Sequence, residues 1–201
     1  MRRARGFTLI ELMVVVAVIA VILMIAAPSF RDTILMQRLR GVNGELVTNL
    51  AFARSEAVAR NELVGVKFGS DSARTCYVIA AYRGEWRTAF ASATTIDVDC
   101  DCTLGAGASC AAPWQEVRTV AVAKDLSVQV TAPAATQFAY DPVAGNLRYT
   151  IINMMSPVVS PFVVNAATDT RGKLRTVINI AGRSSVCTPD GSVSGTETCP
   201  P

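Results

Sequence analysis

A single carboxylate inside an otherwise unbroken apolar run narrows the architectures open to this chain further than anything else in it. Residues 7–27 read FTLIELMVVVAVIAVILMIAA, with Glu11 as the lone charge. As a helix rising about 1.5 Å per residue, such a run reaches roughly 30 Å, the thickness of a bilayer core. Arg2, Arg3 and Arg5 precede it. The positive-inside bias holds that end in the cytoplasm and sends everything after Pro28 across the membrane. A secretory signal peptide would need a small-x-small cleavage site behind the apolar region, and VILMIAA supplies one only weakly. A carboxylate in a spanning helix costs about 3 kcal/mol at the bilayer centre and less toward an edge. Glu11 is therefore expected to have a partner or a purpose; the plainer alternative is an anchor whose Glu11 snorkels to the interface.

The helical period resumes after Pro28. Leu35, Leu39, Val42, Leu46, Leu50, Ala53 and Ala57 recur every three or four residues, the stripe of an amphipathic helix with one buried face. Gly41 and Gly44 weaken it locally. One helix is expected from Phe7 to about Arg60, roughly 80 Å long, kinked or locally melted at Pro28. Its first half serves as anchor and its second half packs under a head.

From Leu63 the pattern changes period. Runs at 64–68, 77–81, 117–123, 126–131, 147–152, 162–165 and 176–180 are short and β-rich, separated by Gly, Pro, Asp and Ser. The fold class is α+β: one long N-terminal helix packed against an antiparallel β-rich head of ordinary domain size. Lys124-Asp125 is a candidate hairpin turn between the third and fourth runs, although neither residue readily adopts the positive φ of the tightest turns.

Chemistry is sparse. There is no His, and Arg2, Arg3 and Arg5 account for the whole excess of 19 basic over 16 acidic residues, so bulk charge gives no case for nucleic acid. Serine, cysteine–histidine and metal-hydrolase sites lack their usual parts, and no enzyme activity or cofactor is expected. Asp97, Asp99 and Asp101 alternate as calcium ligands do, but the Gly and terminal Glu of an EF-hand are missing. Cys76, Cys100, Cys102, Cys110, Cys187 and Cys199 all lie beyond the anchor, and an even count on the translocated side implies disulfides. Cys187–Cys199 is the favoured pair, closing a Pro/Gly/Ser/Thr-rich loop; Cys100 and Cys102, too close to bond easily to each other, reach Cys76 and Cys110 in either order. Without His or a CxxC, zinc at Cys100, Cys102 and Cys110 is the weaker reading, and no metal site is assigned. The loop at 94–113 is expected to be held in order by these bridges.

Gly6-Phe7-Thr8-Leu9-Ile10-Glu11 followed by the apolar run resembles the class III leader of type IV pilins and type II secretion pseudopilins. The resemblance implies that a prepilin peptidase removes residues 1–6, cutting between Gly6 and Phe7, and methylates the new amino terminus at Phe7. Glu11 then becomes the acid that pairs with the Phe7 amine of a neighbouring subunit during assembly, which gives a buried charge its partner. The run from Leu50 to Asn61, LAFARSEAVARN, is similar to the helix end of the GspH/FimT group of minor pilins and pseudopilins, a likeness that implies a head of two small sheets beside the helix.

The organisation implied is a leader at 1–6, a transmembrane and filament-core helix at 7–27, an amphipathic helix at 28–62 and a disulfide-bridged periplasmic or extracellular head at 63–201. The implied partners are other minor and major pilin or pseudopilin subunits, the prepilin peptidase and the inner membrane, crossed once. The implied destination is the tip of a type IV pilus or of a type II secretion pseudopilus, where the subunit helps initiate assembly.

In FimT-like proteins of DNA uptake, a C-terminal Gly-Arg-x-Arg motif beside a cysteine is associated with DNA binding. Gly182 and Arg183 match it, but Ser185 stands where the second arginine would be. With Arg171, Lys173 and Arg175, Arg183 forms the candidate basic patch for double-stranded DNA. Three or four phosphate contacts would give weak, strongly salt-dependent binding.

Overall fold

The computed structural model describes residues 7–85, 97–107, 110–132, 136–148, 161–169 and 172–200, with the side chains of 25–29 and 126 outside that description. Helix α1, Leu9–Arg60, is a single element of 52 residues, about 78 Å long at the standard rise. Thr8 starts it: its hydroxyl accepts from the Glu11 backbone N–H at 3.3 Å, while the Glu11 carboxylate accepts from the Thr8 N–H at 3.5 Å, a capping box. Asn61 ends it in the left-handed region at φ 53°, with its N–H turned back to the carbonyls of Ala57 and Val58. Arg60 places a positive charge at the negative end of the helix dipole. The local melting expected at Pro28 does not occur, because the helix is continuous through it. A proline forfeits one ladder bond, and the long helical segments on either side have already met the cost of nucleation.

Among the described residues, nine strands form two antiparallel sheets. In the first, β1 (Val64–Ser70), β2 (Arg74–Tyr82), β3 (Trp114–Ala123), β5 (Gln137–Tyr140) and β6 (Leu147–Arg148) run in the order β3-β2-β1-β5-β6. In the second, β4 (Val128–Thr131), β7 (Phe162–Thr168), β8 (Lys173–Ile178) and β9 (Ser184–Cys187) run β4-β7-β8-β9. Of the run expected at 147–152, only Leu147 and Arg148 lie within the described residues. The expected hairpin at Lys124-Asp125 is overturned, since β3 and β4 belong to different sheets. The positive φ falls on Ser127 (φ 56°) behind a single 3-10 turn at Lys124–Leu126, so the chain is redirected from one sheet to the other. Strands β5 and β9 have no counterpart among the expected runs. The first is only four residues long, and the second, SSVC, is polar and lies on a sheet edge.

The helical stripe is the floor of the core. Leu39, Leu46, Leu50, Ala53 and Ala57 are buried and Leu35 and Val42 half-buried. Above them sit Val64, Val66 and Phe68 of the first sheet and Phe162, Val164 and Ile178 of the second. Phe138 and Phe162 meet across the two sheets with ring centroids 4.5 Å apart, joined by Phe68 at 6.0 Å from Phe162. Two asparagines also face inward. Asn43 accepts from the Thr176 hydroxyl at 3.0 Å. Asn49 donates to the Tyr77 hydroxyl at 2.8 Å and accepts from Arg118 at 2.6 Å. These bonds satisfy polar groups that the apolar stripe alone would not place inside.

The first sheet is covered on its other face too. Val98, Cys100, Cys102 and Trp114 pack on Cys76, Val78 and Ala80, and β2 is accordingly buried along all but its ends. On β1 the residues turned toward this layer include Gly65 and Gly69. A Cβ at Gly65 would lie 2.6 Å from Val98, and one at Gly69 would lie 2.9 Å from the Cys102 sulfur. Bridges Cys76–Cys102 and Cys100–Cys110 pin the layer down, and Cys187–Cys199 closes the C-terminal loop.

Candidate functional site

The N-terminal half of α1 stands clear of the head. Every residue described from Phe7 to Met24 is exposed, from Phe7 at 83% to Met24 at 80%, with Val15 the least exposed of the large apolar side chains at 48%. From Leu12 to Met24 this surface is apolar all the way round, and such a surface is stable only when lipid or other helices cover it. Among the described residues, no helix is long and apolar enough to cross a membrane. Glu11 is exposed and held by its own capping box; Gly6 lies outside the described residues and Phe7 is the first residue within them.

The candidate basic residues are divided by the topology. Lys173 and Arg175 lie two apart on β8, on the face opposite the buried Leu174, Thr176 and Ile178. Arg175 donates to Asn165 of β7 at 3.4 Å. Arg183 sits beyond the far end of that strand, opposite Asn179: the Asn179 N–H donates to its carbonyl at 2.9 Å, and its own N–H donates to the Asn179 side chain at 3.0 Å. Four strand residues from Arg175 to Asn179 correspond to about 13 Å. Arg171 lies outside the described residues. Ser185 faces Val177 across the β8–β9 ladder, so a guanidinium there would join Arg175's face of the sheet and not the turn that carries Arg183.

Gly182 has a packing role that its place in a Gly-Arg pair conceals. It holds φ 73°, and an added Cβ would lie 2.1 Å from the Gly145 carbonyl oxygen, 3.0 Å from Arg54 Nε and 3.2 Å from the Tyr140 ring. Arg54, from the helix-end motif, donates to the carbonyls of Gly145 (3.1 Å) and Ala144 (3.2 Å). The two sequence motifs therefore meet at one point of the fold, the turn between β5 and β6. The helix end's alternating charges disguise the contact, because no signal near Arg54 marks two backbone carbonyls, 90 and 91 residues further along the chain, as its target.

The acidic triplet is absorbed by loop structure. Asp101 accepts from the Thr103 hydroxyl and N–H, which hold its carboxyl below the usual range. Asp97 lies 3.8 Å from Lys67, whose ammonium donates to the Val98 carbonyl. Among the described residues, no cluster of His, Cys, Asp or Glu is arranged to hold a metal.

Residues 1–27 match the profile of the prokaryotic N-terminal methylation motif. Two crystal structures of the type IV minor pilin FimU of Pseudomonas aeruginosa are similar at 15% identity. One covers 80% of this chain and 95% of its own, with a TM-score of 0.49; the other covers 78% and 98%, with a TM-score of 0.46. No curated protein matches. Residues 44–182 match the profile of the type II transport protein GspH, well over half of the chain, and the protein belongs to this GspH/FimT family of type IV pilin-like minor subunits.

Proposed function

We propose that this protein is a minor pilin or pseudopilin that inserts through its N-terminal helix near the tip of a type IV pilus or type II secretion pseudopilus and helps initiate assembly. The observation that carries this reading is the apolar helical half, whose described side chains from Phe7 to Met24 the described head leaves exposed. Within the inner membrane, lipid covers it and the head stands in the periplasm; within a filament, the helices of other subunits take the place of lipid. Cleavage by prepilin peptidase after Gly6 and methylation of Phe7 belong to the same reading, as does pairing of Glu11 with a neighbour's new amino terminus. In the isolated chain Glu11 is occupied by its own cap at 3.5 Å, a long contact that a charged amine can outcompete.

Mass spectrometry of sheared filaments from the native host tests this. The expected result is a substoichiometric chain that begins at N-methylated Phe7. A chain that keeps residues 1–6, or that never enters the filament fraction, overturns the proposal.

A second reading, capture of double-stranded DNA, draws on Lys173 and Arg175, which share one face of β8. Clustered cations bind phosphate by releasing counterions, and here the cluster is small. A mobility shift that weakens steeply with salt and is lost in Lys173→Gln/Arg175→Gln would support it; no shift at low salt would end it.

A further inference from the structure

Beside the contact of Arg54 with Gly145 lies a groove of about 650 Å³. Arg54 and Val58 of the helix end form one wall, Val143 and Ala144 of the β5–β6 turn a second, and Gly182 and Arg183 the third. Its apolar side is well exposed, with Val58 at 48% and Val143 at 74%. Its polar side is cationic. Arg54 donates to two backbone carbonyls, which bring no carboxylate to its guanidinium. The Arg183 guanidinium, exposed, makes no hydrogen bond or ion pair among the described residues.

Among the described residues, no carboxylate lines the groove. Asp141, at the start of the same turn, is buried; it accepts from the N–H groups of Val143 and Ala144 and faces Arg148 at 3.6 Å. Two like charges, with no counter-charge in the described lining, leave the concavity positive, and an anion drawn into it meets aliphatic walls.

We propose that this groove is a docking site for an acidic peptide segment of a partner protein, with a carboxylate set on Arg183 and a neighbouring aliphatic side chain set between Val58 and Val143. Naming that partner a fellow pilus or pseudopilus subunit rests on the function proposed above; the chemistry of the groove does not. Duplex DNA fits the observations less well. It presents a charge about every 1.7 Å and is held by many cations at once, whereas among the described residues the groove offers one free guanidinium, and Val58 and Val143 have no counterpart on a phosphate backbone.

The test uses the full disulfide-bonded chain, isotopically labelled in detergent micelles, titrated with acetyl-Leu-Glu-Leu-amide, its Gln analogue and a short DNA duplex. The expected result is saturable amide shifts at Val143, Ala144, Gly182, Arg183 and Ser184, with the Gln analogue about tenfold weaker. A hydrogen bond to a charged group is commonly worth that factor. Arg183→Gln should weaken the Glu peptide about tenfold, and Val143→Ser about threefold. Both side chains are exposed, so the fold should survive. Lys173→Gln should leave peptide binding unchanged. Equal binding of the Glu and Gln peptides, no shift up to millimolar peptide, or stronger shifts at these residues with the duplex would each overturn the proposal. Normal filaments without peptide binding would remove the groove and leave the assembly subunit standing; peptide binding by a chain that never enters filaments would do the reverse.

Discussion

The two halves of α1 share a backbone conformation, yet they live in opposite surroundings. From Leu9 to Met24 every side chain is exposed, whereas Leu39, Leu46, Leu50, Ala53 and Ala57 are sealed under the sheets. Helical structure is therefore indifferent to what holds each half. The second half is stabilised inside the molecule by its stripe and by Asn43 and Asn49, which fasten it to Thr176, Tyr77 and Arg118. Among the described residues the first half has no such partners in its own chain, and under the function proposed above lipid or other subunits supply them.

The most severe challenge to that contrast is to change the one charge on the first half. Glu11→Val should leave the head's unfolding unchanged, yet reduce incorporation into sheared filaments by about tenfold or more, read by immunoblot. Normal incorporation would remove the acid from the assembly proposal.

The same truncation on both halves comes next. Leu46→Ala should destabilise the head by about 3 kcal/mol, the usual cost of emptying a buried leucine site. Leu12→Ala, on an exposed position, should stay within about 0.5 kcal/mol. Denaturant unfolding followed by tryptophan fluorescence compares them, and similar losses would mean that the first half also packs on the head.

Gly182→Ala probes where the second half ends. The positive φ and the approach of the Gly145 carbonyl should cost about 2–3 kcal/mol, visible in the same unfolding curves; a neutral effect would mean that the β5–β6 turn yields freely.

Alkaline pH should act on the head that covers the buried half. Burial pushes the Tyr77 hydroxyl up to about 12, against a smaller opposing effect of its bond from Asn49, and burial pushes Tyr140 upward as well. Unfolded tyrosine ionises near 10. Between about pH 10 and 12 the unfolded state therefore holds fewer protons than the folded one, and stability should fall as pH rises through that window. A flat profile there would show Tyr77 to be accessible to solvent.

A modest gain is expected at the last position. Gly41 is helical and exposed, with nothing within 4 Å of an added Cβ, so Gly41→Ala should stabilise the head by about 0.5–1 kcal/mol. A loss would place a hidden contact at that position.

Much of this molecule was legible because its strongest signals are periodic or local. The stripe from Leu35 to Ala57 named the apolar part of the packed helix face, with Leu35 and Val42 only half-buried and the buried Asn43 and Asn49 missed, and the leader motif together with the helix-end motif pointed to the family. Local signals failed where partners are distant in sequence. The β3–β4 connection looks like a hairpin until Ser127, and not Lys124 or Asp125, takes the left-handed turn and carries the chain into the other sheet. Strand β9 is polar and short, and only its pairing with β8 makes it a strand. Cys100 and Cys102 sit too close together for spacing to choose their partners; the layer over β2 chooses, bringing Cys102 to Cys76 and leaving Cys100 to Cys110.

Amino-acid order alone dictates a long helix that begins near Phe7, ends near Arg60 and presents one apolar face to a β-rich head, because 3.6-residue periodicity and capping residues act over a few neighbours. The division of the candidate cations between the face of β8 and the turn beyond it, and the need for Gly182 against Gly145 and Arg54, arise only in the closed fold. Gly182 lies 37 positions from Gly145 and 128 from Arg54. Such relations come into being when two sheets close over one helix, a matter of register and packing that no local pattern encodes.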